Sequence, residues 1–162
     1  MRYALNFKPM FNIVLLQPEI PQNTGTIART CACTGARLHL VKPFKFEITD
    51  KNLKRAGLDY WNKVEVFYYE NFDEFLAKNP SADMYFIETG GKKRCTDIVY
   101  PYNAFIVFGQ ETKGIPKDIL EKYSDKILTV PMRATLRSLN LSNCASLVLY
   151  EALRQHDFKD MY

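Results

Sequence analysis

In the stretch Asn12-Ile13-Val14-Leu15-Leu16-Gln17-Pro18-Glu19-Ile20-Pro21, an apolar run passes directly into a loop bounded by prolines. Such a short run of Ile, Val and Leu is typical of a strand that is buried on both faces of a parallel sheet. Residues 22–34 then place Ile27, Ala28 and Cys31 on one face of a helix, which Gly35 ends. The stretch therefore predicts the first strand–loop–helix unit of an α/β fold.

The remainder of the chain continues this alternation. Further strands are predicted at residues 38–41, 64–68, 84–87, 104–108 and 126–130, and further helices at residues 51–56, 72–78, 116–122 and 141–156. Strands separated by helices imply right-handed crossovers, and hence a mainly parallel sheet with helices on both faces. Because the sequence has neither an internal repeat nor a linker, we expect one domain over residues 1–162. Ligands bind at the carboxyl ends of such strands, here after Leu16, Ile87, Phe108 and Val130.

Composition and charge narrow the class of protein only a little. A net charge of +4 permits RNA binding without arguing for it. No segment approaches the roughly 20 apolar residues that span a bilayer, and the first residues do not resemble a secretory signal. Cys31 and Cys33 form a C-x-C pair whose side chains diverge on a helix, so we expect no metal site. These features favour a cytoplasmic protein with reduced thiols and no membrane contact.

The first motif, Pro21-Gln22-Asn23-Thr24-Gly25-Thr26-Ile27-Ala28-Arg29, lies where the first strand turns into the first helix. Gly25 allows the backbone to approach a ligand closely, and a helix N-terminus attracts an anion such as phosphate. Arg29 lies one turn further on the same face and is able to reach that anion. A dinucleotide site is not indicated, because the pattern G-x-G-x-x-G is absent. A helix cap followed by a solvated arginine explains the motif equally well.

The second motif, Phe108-Gly109-Gln110-Glu111-Thr112-Lys113-Gly114-Ile115-Pro116, follows a predicted buried strand directly. Glycine permits a positive φ and close contact with the backbone, and here two glycines flank a carboxylate. A plain connection between a strand and a helix needs only one turn glycine. The spacing therefore favours a ligand-binding loop.

The third motif, residues 130–143, is a long polar connection that leads into the last helix. An apolar stripe on that helix is explained fully by packing on the core or on a second subunit. Its members are Leu141, Ala145, Val148, Leu149, Ala152 and Leu153. Helix capping requires one Ser or Asn, whereas this connection carries Ser138, Asn140, Ser142 and Asn143 after Arg137. The excess of polar groups indicates a site.

Two further features remain ambiguous. The basic cluster of residues 90–94 is typical of an exposed turn, which either contacts phosphates or is only solvated. Lys51, Lys54 and Arg55 allow the same two interpretations.

The eleven Phe and ten Tyr could offer stacking surfaces for bases, but most lie in predicted strands, which favours core packing.

In this order the motifs resemble the SPOUT methyltransferases, and among them the small YibK/TrmL group of tRNA 2′-O-methyltransferases. The resemblance covers residues 12–155. It rests on N-x-G-x-x-x-R at Asn23, Gly25 and Arg29, on A-G-L-D-Y at residues 56–60, on F-G-x-E-x-x-G-x-P at residues 108–116, and on P-M…R-S-x-N-L-S-N at residues 131–143, followed by Y-E-A-L-R-Q at residues 150–155. Each pattern alone is modest, whereas four in register are very specific.

The resemblance implies an α/β fold with a C-terminal trefoil knot, S-adenosylmethionine as cofactor, and a homodimer formed through the last helix. Main-chain and apolar contacts would hold the cofactor near Ile87, Gly109, Val130, Met132 and Ser138. Family members usually carry Ile at the position of Val130, and the loss of one methylene loosens packing only slightly.

The implied reaction is methyl transfer to the ribose 2′-hydroxyl of the wobble nucleotide of tRNA, position 34, a cytidine or modified uridine. Arg29 is the residue tied to activating that hydroxyl. A guanidinium stays protonated in proteins, so we expect Arg29 to clamp the neighbouring phosphate and stabilise developing charge. The resemblance further implies that Asn23, Glu111, Ser142 and Asn143 position Arg29 and the ribose. Arg137 and Tyr150 would contact the tRNA anticodon stem-loop.

Alternatives remain open at this stage. The same chemistry on another RNA, such as ribosomal RNA, fits the motifs. So does a non-catalytic RNA-binding protein on the same fold, although the presence of Asn23, Arg29, Glu111 and Asn143 speaks against it.

Overall fold

A computed structural model describes residues 11–47 and 60–161, and within them the chain forms seven strands and four α-helices. The strands are β1 (Asn12–Leu16), β2 (Arg37–Val41), β3 (Val66–Tyr69), β4 (Met84–Ile87), β5 (Lys93–Arg94), β6 (Phe105–Phe108) and β7 (Ile127–Thr129). The helices are α1 (Pro21–Thr34), α2 (Phe72–Lys78), α3 (Lys117–Lys122) and α4 (Leu141–Gln155), with short 3-10 helices at Trp61–Lys63 and Ser124–Lys126. None of these helices has the length and apolarity that crossing a membrane requires.

The seven strands form one sheet in the order β3-β2-β1-β6-β4-β7-β5, and every pairing between them is parallel. This confirms the predicted α/β class with a parallel sheet. Because β1, β6, β4 and β7 are neighbours that run in the same direction, the loops that follow them meet at one edge. The four loops singled out from the sequence are therefore adjacent in space.

Helices cover both faces of the sheet, as predicted. On one face, α1 and α4 pack against Ile13, Leu15 and Ile106. On the other, α2 and α3 contribute Phe75 and Ile119 to a second apolar cluster. The stripe predicted on the last helix is buried in the first cluster, with Ala145, Val148, Leu149, Ala152 and Leu153 each at most 2% exposed. Burying a Val or Leu side chain is worth about 1.5–3 kcal/mol, so this face anchors α4 firmly.

A few predicted boundaries are wrong. The strand predicted at residues 64–68 runs from Val66 to Tyr69. The cluster predicted as an exposed turn contains β5, where exposed Lys93 and Arg94 pair with Leu128 and Thr129 of β7. The helix predicted at residues 51–56 lies outside the described residues, as do Lys51, Lys54 and Arg55.

A buried polar chain crosses the sheet at His39. The amide of Asn12 donates to the carbonyl of Asn103 at 3.0 Å, so the Asn12 Oδ1 accepts from His39 Nε2 at 3.1 Å. His39 Nδ1 then accepts from the hydroxyl of Tyr69 at 2.8 Å, and Tyr69 accepts from Asn79 Nδ2 at 3.2 Å. Burial is the main cause that lowers the pKa of His39 to about 4, and the nearby Arg37 lowers it further. The imidazole is therefore a neutral structural element of the sheet.

Candidate functional site

A cavity of about 650 Å³ opens at the carboxyl edge of the sheet, between the loops after β4, β6 and β7. Ile87 and Phe108 contribute apolar floor at the ends of β4 and β6. Ile20 and Asn23 close one side from the start of α1, and residues 137–141 close another at the start of α4. This is the edge at which the sequence predicted a ligand.

The loop after β6 folds back on itself to form one wall of the cavity. The backbone N–H of Gln110 donates to the Gly114 carbonyl at 3.0 Å, and the Gly114 N–H donates to the Gln110 carbonyl at 2.9 Å. A Cβ on Gly109 would collide with the backbone of Gly114 and Ile115, and Gly114 has a φ of +67°. Only glycine fits these two positions without strain, which accounts for the two glycines of the second motif.

Glu88 ties the end of β4 to this loop. Its Oε2 accepts from the Ile115 N–H at 2.8 Å, and its Oε1 accepts from the Thr89 N–H at 2.9 Å. The carboxylate also lines the cavity. A glutamate after an apolar strand carries no distinctive sequence signal, and Glu88 was not among the predicted site residues.

Two carboxylates clamp the loop after β6 to the start of α1. The carboxylate of Glu111 accepts from the backbone N–H groups of Glu19 at 2.8 Å and Ile20 at 3.1 Å. In return, Glu19 accepts from the N–H of Thr112 at 2.9 Å and from its hydroxyl at 2.7 Å. An ion pair with Lys45, followed by these contacts with Thr112, lowers the pKa of Glu19 to about 2. The carboxylate of Glu111 therefore lies beside the N-terminus of α1, where the sequence predicted an anion.

Asn23 connects the three motifs. Its Nδ2 donates to Glu111 Oε1 at 3.2 Å, and its Oδ1 accepts from Asn140 Nδ2 at 3.1 Å. The Oδ1 of Asn140 in turn caps α4, accepting from the Ser142 N–H at 2.9 Å and the Asn143 N–H at 3.3 Å. The polar run before α4 therefore joins the site to the helix, and its central residue is Asn140, to which the sequence assigned no individual role.

All five predicted cofactor-contacting residues line the cavity: Ile87, Gly109, Val130, Met132 and Ser138. Asn23, Glu111 and Arg137 line it as well. The remaining predicted residues, Arg29, Ser142, Asn143 and Tyr150, lie outside its lining.

The residues outside the lining have separate surroundings. Ser142 is buried and donates its hydroxyl to Asn140 at 2.6 Å, whereas Asn143 is exposed on α4. Tyr150 is 43% exposed, with its ring 6.4 Å from that of Phe158. Gly25, predicted to approach a ligand, is instead buried in the second turn of α1.

Arg29 projects from α1 into solvent and meets Tyr60. Its guanidinium carbon lies 4.7 Å from the centre of the Tyr60 ring, and its Nη2 donates to the Tyr60 hydroxyl at 3.5 Å. Arg29 was predicted to be positioned by Asn23, Glu111, Ser142 and Asn143, but the contact that the structure shows is with Tyr60. Tyr60 ends the A-G-L-D-Y pattern, whose other residues lie outside the described part of the chain.

Comparison with known proteins assigns this arrangement to a family. The model of the SpoU rRNA methylase family matches residues 10–150. The chain belongs to this family. The tRNA (cytidine(34)-2′-O)-methyltransferase of Methylovorus glucosotrophus (strain SIP3-4) is 48% identical over 150 residues, covering 92% of this chain and 97% of that protein. The relative of the same name from Saccharophagus degradans (strain 2-40) is 47% identical over 150 residues, with the same coverage of both chains.

Solved structures share the fold of this chain. One from work on the 2-OH methylation of C/U34 on tRNA superimposes with a TM-score of 0.87 at 37% identity, over 92% of this chain and 97% of that chain. The SpoU methyltransferase AviRb from Streptomyces viridochromogenes, in complex with the cofactor AdoMet, has a TM-score of 0.77 at 20% identity, over 94% of this chain and 60% of that chain. This similarity confirms the predicted α/β fold with a parallel sheet, as in SPOUT methyltransferases.

Proposed function

We propose that this protein transfers the methyl group of S-adenosylmethionine to the ribose 2′-hydroxyl of the wobble nucleotide, position 34, of tRNA. The observation that carries the proposal is the 48% identity, over almost the whole length of both chains, to a tRNA (cytidine(34)-2′-O)-methyltransferase. The cavity lies where a parallel sheet offers a ligand site, which agrees with such a role. The catalytic unit in this proposal is a single domain over residues 1–162, closed by a C-terminal trefoil knot and acting in the cytoplasm.

The cavity suits S-adenosylmethionine in size and chemistry. Ligand pockets commonly measure about 300–1,000 Å³ and combine apolar walls with a few placed polar groups. Ile87, Val130 and Met132 offer an apolar surface to an adenine ring, and Gly109 contributes to the same lining. Gln110 Oε1, also in the lining, is buried without a hydrogen-bond partner among the described residues. When bound, the cofactor supplies an activated methyl group, and these residues with Ser138 orient it.

The RNA side of the site is assigned to Arg29, Asn23 and Glu111. Arg29 is exposed at the surface of α1, two turns beyond Asn23, where a phosphate is able to reach it. A guanidinium forms charge-assisted hydrogen bonds with phosphate, so Arg29 clamps the target nucleotide and stabilises charge on the 2′-oxygen. The hydroxyl proton passes to the phosphate or to water. Arg137, exposed at the rim of the cavity, contacts the anticodon stem-loop.

A homodimer completes this proposal. The outer face of α4 presents Leu147, 44% exposed, and Tyr150, 43% exposed, three residues apart on one side of the helix. Apolar side chains on an outer helix face indicate a surface that a second copy covers. In this proposal tRNA bridges both subunits, and Tyr150 and Arg137 of one subunit serve the site of the other.

The test is methyl transfer from tritiated S-adenosylmethionine to undermodified bulk tRNA and, in parallel, to undermodified ribosomal RNA. We expect label in tRNA alone for the wild type, and at most about one hundredth of that rate for Arg29→Ala. Cofactor binding, measured separately by calorimetry, stays unchanged in Arg29→Ala and Arg29→Lys. Label in ribosomal RNA only would show that the substrate is ribosomal RNA and not tRNA. No label in either RNA would indicate a non-catalytic RNA-binding protein. Normal turnover by both Arg29 variants would remove Arg29 from the chemistry.

A further inference from the structure

Tyr60 is the contact that holds the exposed Arg29 side chain. The guanidinium carbon lies 4.7 Å from the ring centre, a distance at which the face of the ring attracts a cation. The hydroxyl accepts from Nη2 at 3.5 Å, the limit of a hydrogen bond. The ring is therefore the stronger part of the contact. A long side chain on a helix surface samples many rotamers, and this ring restricts Arg29 to the set that lies over it.

The position of Tyr60 is itself fixed by a 3-10 helix that packs on the core. It precedes the 3-10 helix Trp61–Lys63, and its carbonyl accepts from the Lys63 N–H at 2.9 Å. Trp61, the first residue of that 3-10 helix, and Val64, which follows it, pack against the apolar core that α1 and α4 share. The ring is thereby held in place relative to α1, although it comes from a part of the chain 31 residues away from Arg29.

The same ring attracts a second cation. The Nζ of Lys63 lies 5.5 Å from the ring centre. Lys63 and Arg29 are both exposed, so two positive charges lie beside one aromatic ring at the surface. A polyanion such as RNA is drawn to such a pair. The ring orients Arg29 within this field without neutralising its charge, which a carboxylate partner would do.

We propose that Tyr60 is a positioning residue for methyl transfer, acting through Arg29 by stacking under its guanidinium. This rests on the proposed function, in which Arg29 binds the phosphate beside the reacting 2′-hydroxyl. Tyr60 itself touches neither the cofactor cavity nor, in this proposal, the reacting atoms. Its contribution is the orientation of the guanidinium, so its loss lowers kcat while leaving cofactor affinity unchanged.

The test compares Tyr60→Phe, which keeps the ring, with Tyr60→Leu, which removes it. We expect Tyr60→Phe to retain kcat within about twofold, and Tyr60→Leu to lose about tenfold in kcat, as a misplaced catalytic group does. Tyr102→Leu is the matched control, because it also removes a tyrosine ring, one that is exposed and contacts His156 rather than an arginine. Thermal unfolding and cofactor binding are measured for every variant, so that a folding defect is recognised.

A double-mutant cycle with Arg29→Ala, under single-turnover conditions, decides between positioning and independent action. We expect Tyr60→Leu to have no further effect in the Arg29→Ala background. An equal loss in both backgrounds, or an equal loss in Tyr60→Phe and Tyr60→Leu, would overturn the proposal. If Arg29→Ala methylates tRNA at the wild-type rate, the roles proposed for Arg29 and for Tyr60 are both wrong, but the proposed reaction stands.

Discussion

Asn140 donates its side-chain amide to the Oδ1 of Asn23 at 3.1 Å, across 117 residues of sequence. The opposite end of each side chain is also engaged, Asn23 with Glu111 and Asn140 with the first N–H groups of α4. Because the Asn23 amide donates to a carboxylate, its oxygen must face Asn140. The contact therefore fixes the orientation of both amides and joins the start of α1 to the start of α4.

Replacing Asn140 separates helix capping from organisation of the site. Asn140→Asp keeps an acceptor for the α4 cap but places a carboxylate oxygen against Asn23 Oδ1, so methyl transfer should fall while stability changes little. Asn140→Ala loses both contacts and should also destabilise the fold by about 1 kcal/mol, as cap removal does. Thermal unfolding and transfer rates measure the two effects. Full activity of Asn140→Asp would show that the contact with Asn23 does not matter.

Gly109→Ala tests the packing of the loop after β6. The new methyl collides with backbone rather than with a side chain that could move, so we expect a loss of about 1–3 kcal/mol in the free energy of unfolding and weaker cofactor binding. Gly90→Ala is the matched control. A Cβ there meets nothing within 4 Å, and its φ of +81° alone costs about 1 kcal/mol. Equal effects of the two variants on cofactor affinity would refute this account of Gly109.

The buried His39 makes stability depend on pH. Because burial lowers its pKa from 6.5 to about 4, the unfolded chain binds the proton more readily between those values. The contribution of neutral His39 to the free energy of unfolding should therefore be fully present above pH 6.5. It should decline as the pH falls toward 4, by about 3 kcal/mol in all. NMR titration should show a neutral ring, protonated at Nε2, down to about pH 4. His39→Leu should remove this pH dependence while lowering stability at every pH, and a ring that titrates near pH 6.5 would disprove the assignment.

The outer face of α4 is the proposed dimer surface. Leu147→Arg places a charge where we expect a second copy, which should cost about 3 kcal/mol and raise the dimer dissociation constant roughly a hundredfold. Leu147→Met should leave association unchanged. Light scattering during gel filtration, over a range of concentrations, reports the mass. A wild-type protein that is monomeric and fully active would rule out the dimer and the shared tRNA surface.

The alternation of apolar runs and helical faces was enough to predict the sheet, the helices and the edge at which the cavity opens. It missed β5 because Lys93 and Arg94 are exposed and charged, and two residues have no periodicity to read. Their strand is defined only by hydrogen bonding with β7, a contact between distant parts of the chain. The prediction that the strands are parallel followed from crossover rules rather than from particular residues.

The sequence predicted the cavity lining better than the roles of its polar residues. Two glycines, Gly109 and Gly114, are enough to predict a tight loop. The run Asn140-Leu141-Ser142-Asn143, by contrast, does not indicate which side chain contacts α1. Only the folded chain selects Asn140, by bringing Asn23 within reach. The partner of Arg29 was hidden for the same reason, because a stacking contact between distant residues leaves no spacing pattern.

The most direct test of the central claim is the 2′-O-methyl content of nucleotide 34 in tRNA from cells with and without this protein. Mass spectrometry of nuclease fragments of the anticodon loop locates the methyl group. We predict that the 2′-O-methyl group at position 34 is absent without the protein, and returns with the wild-type chain but not with Arg29→Ala. Unchanged methylation at position 34 in the absence of the protein would contradict it.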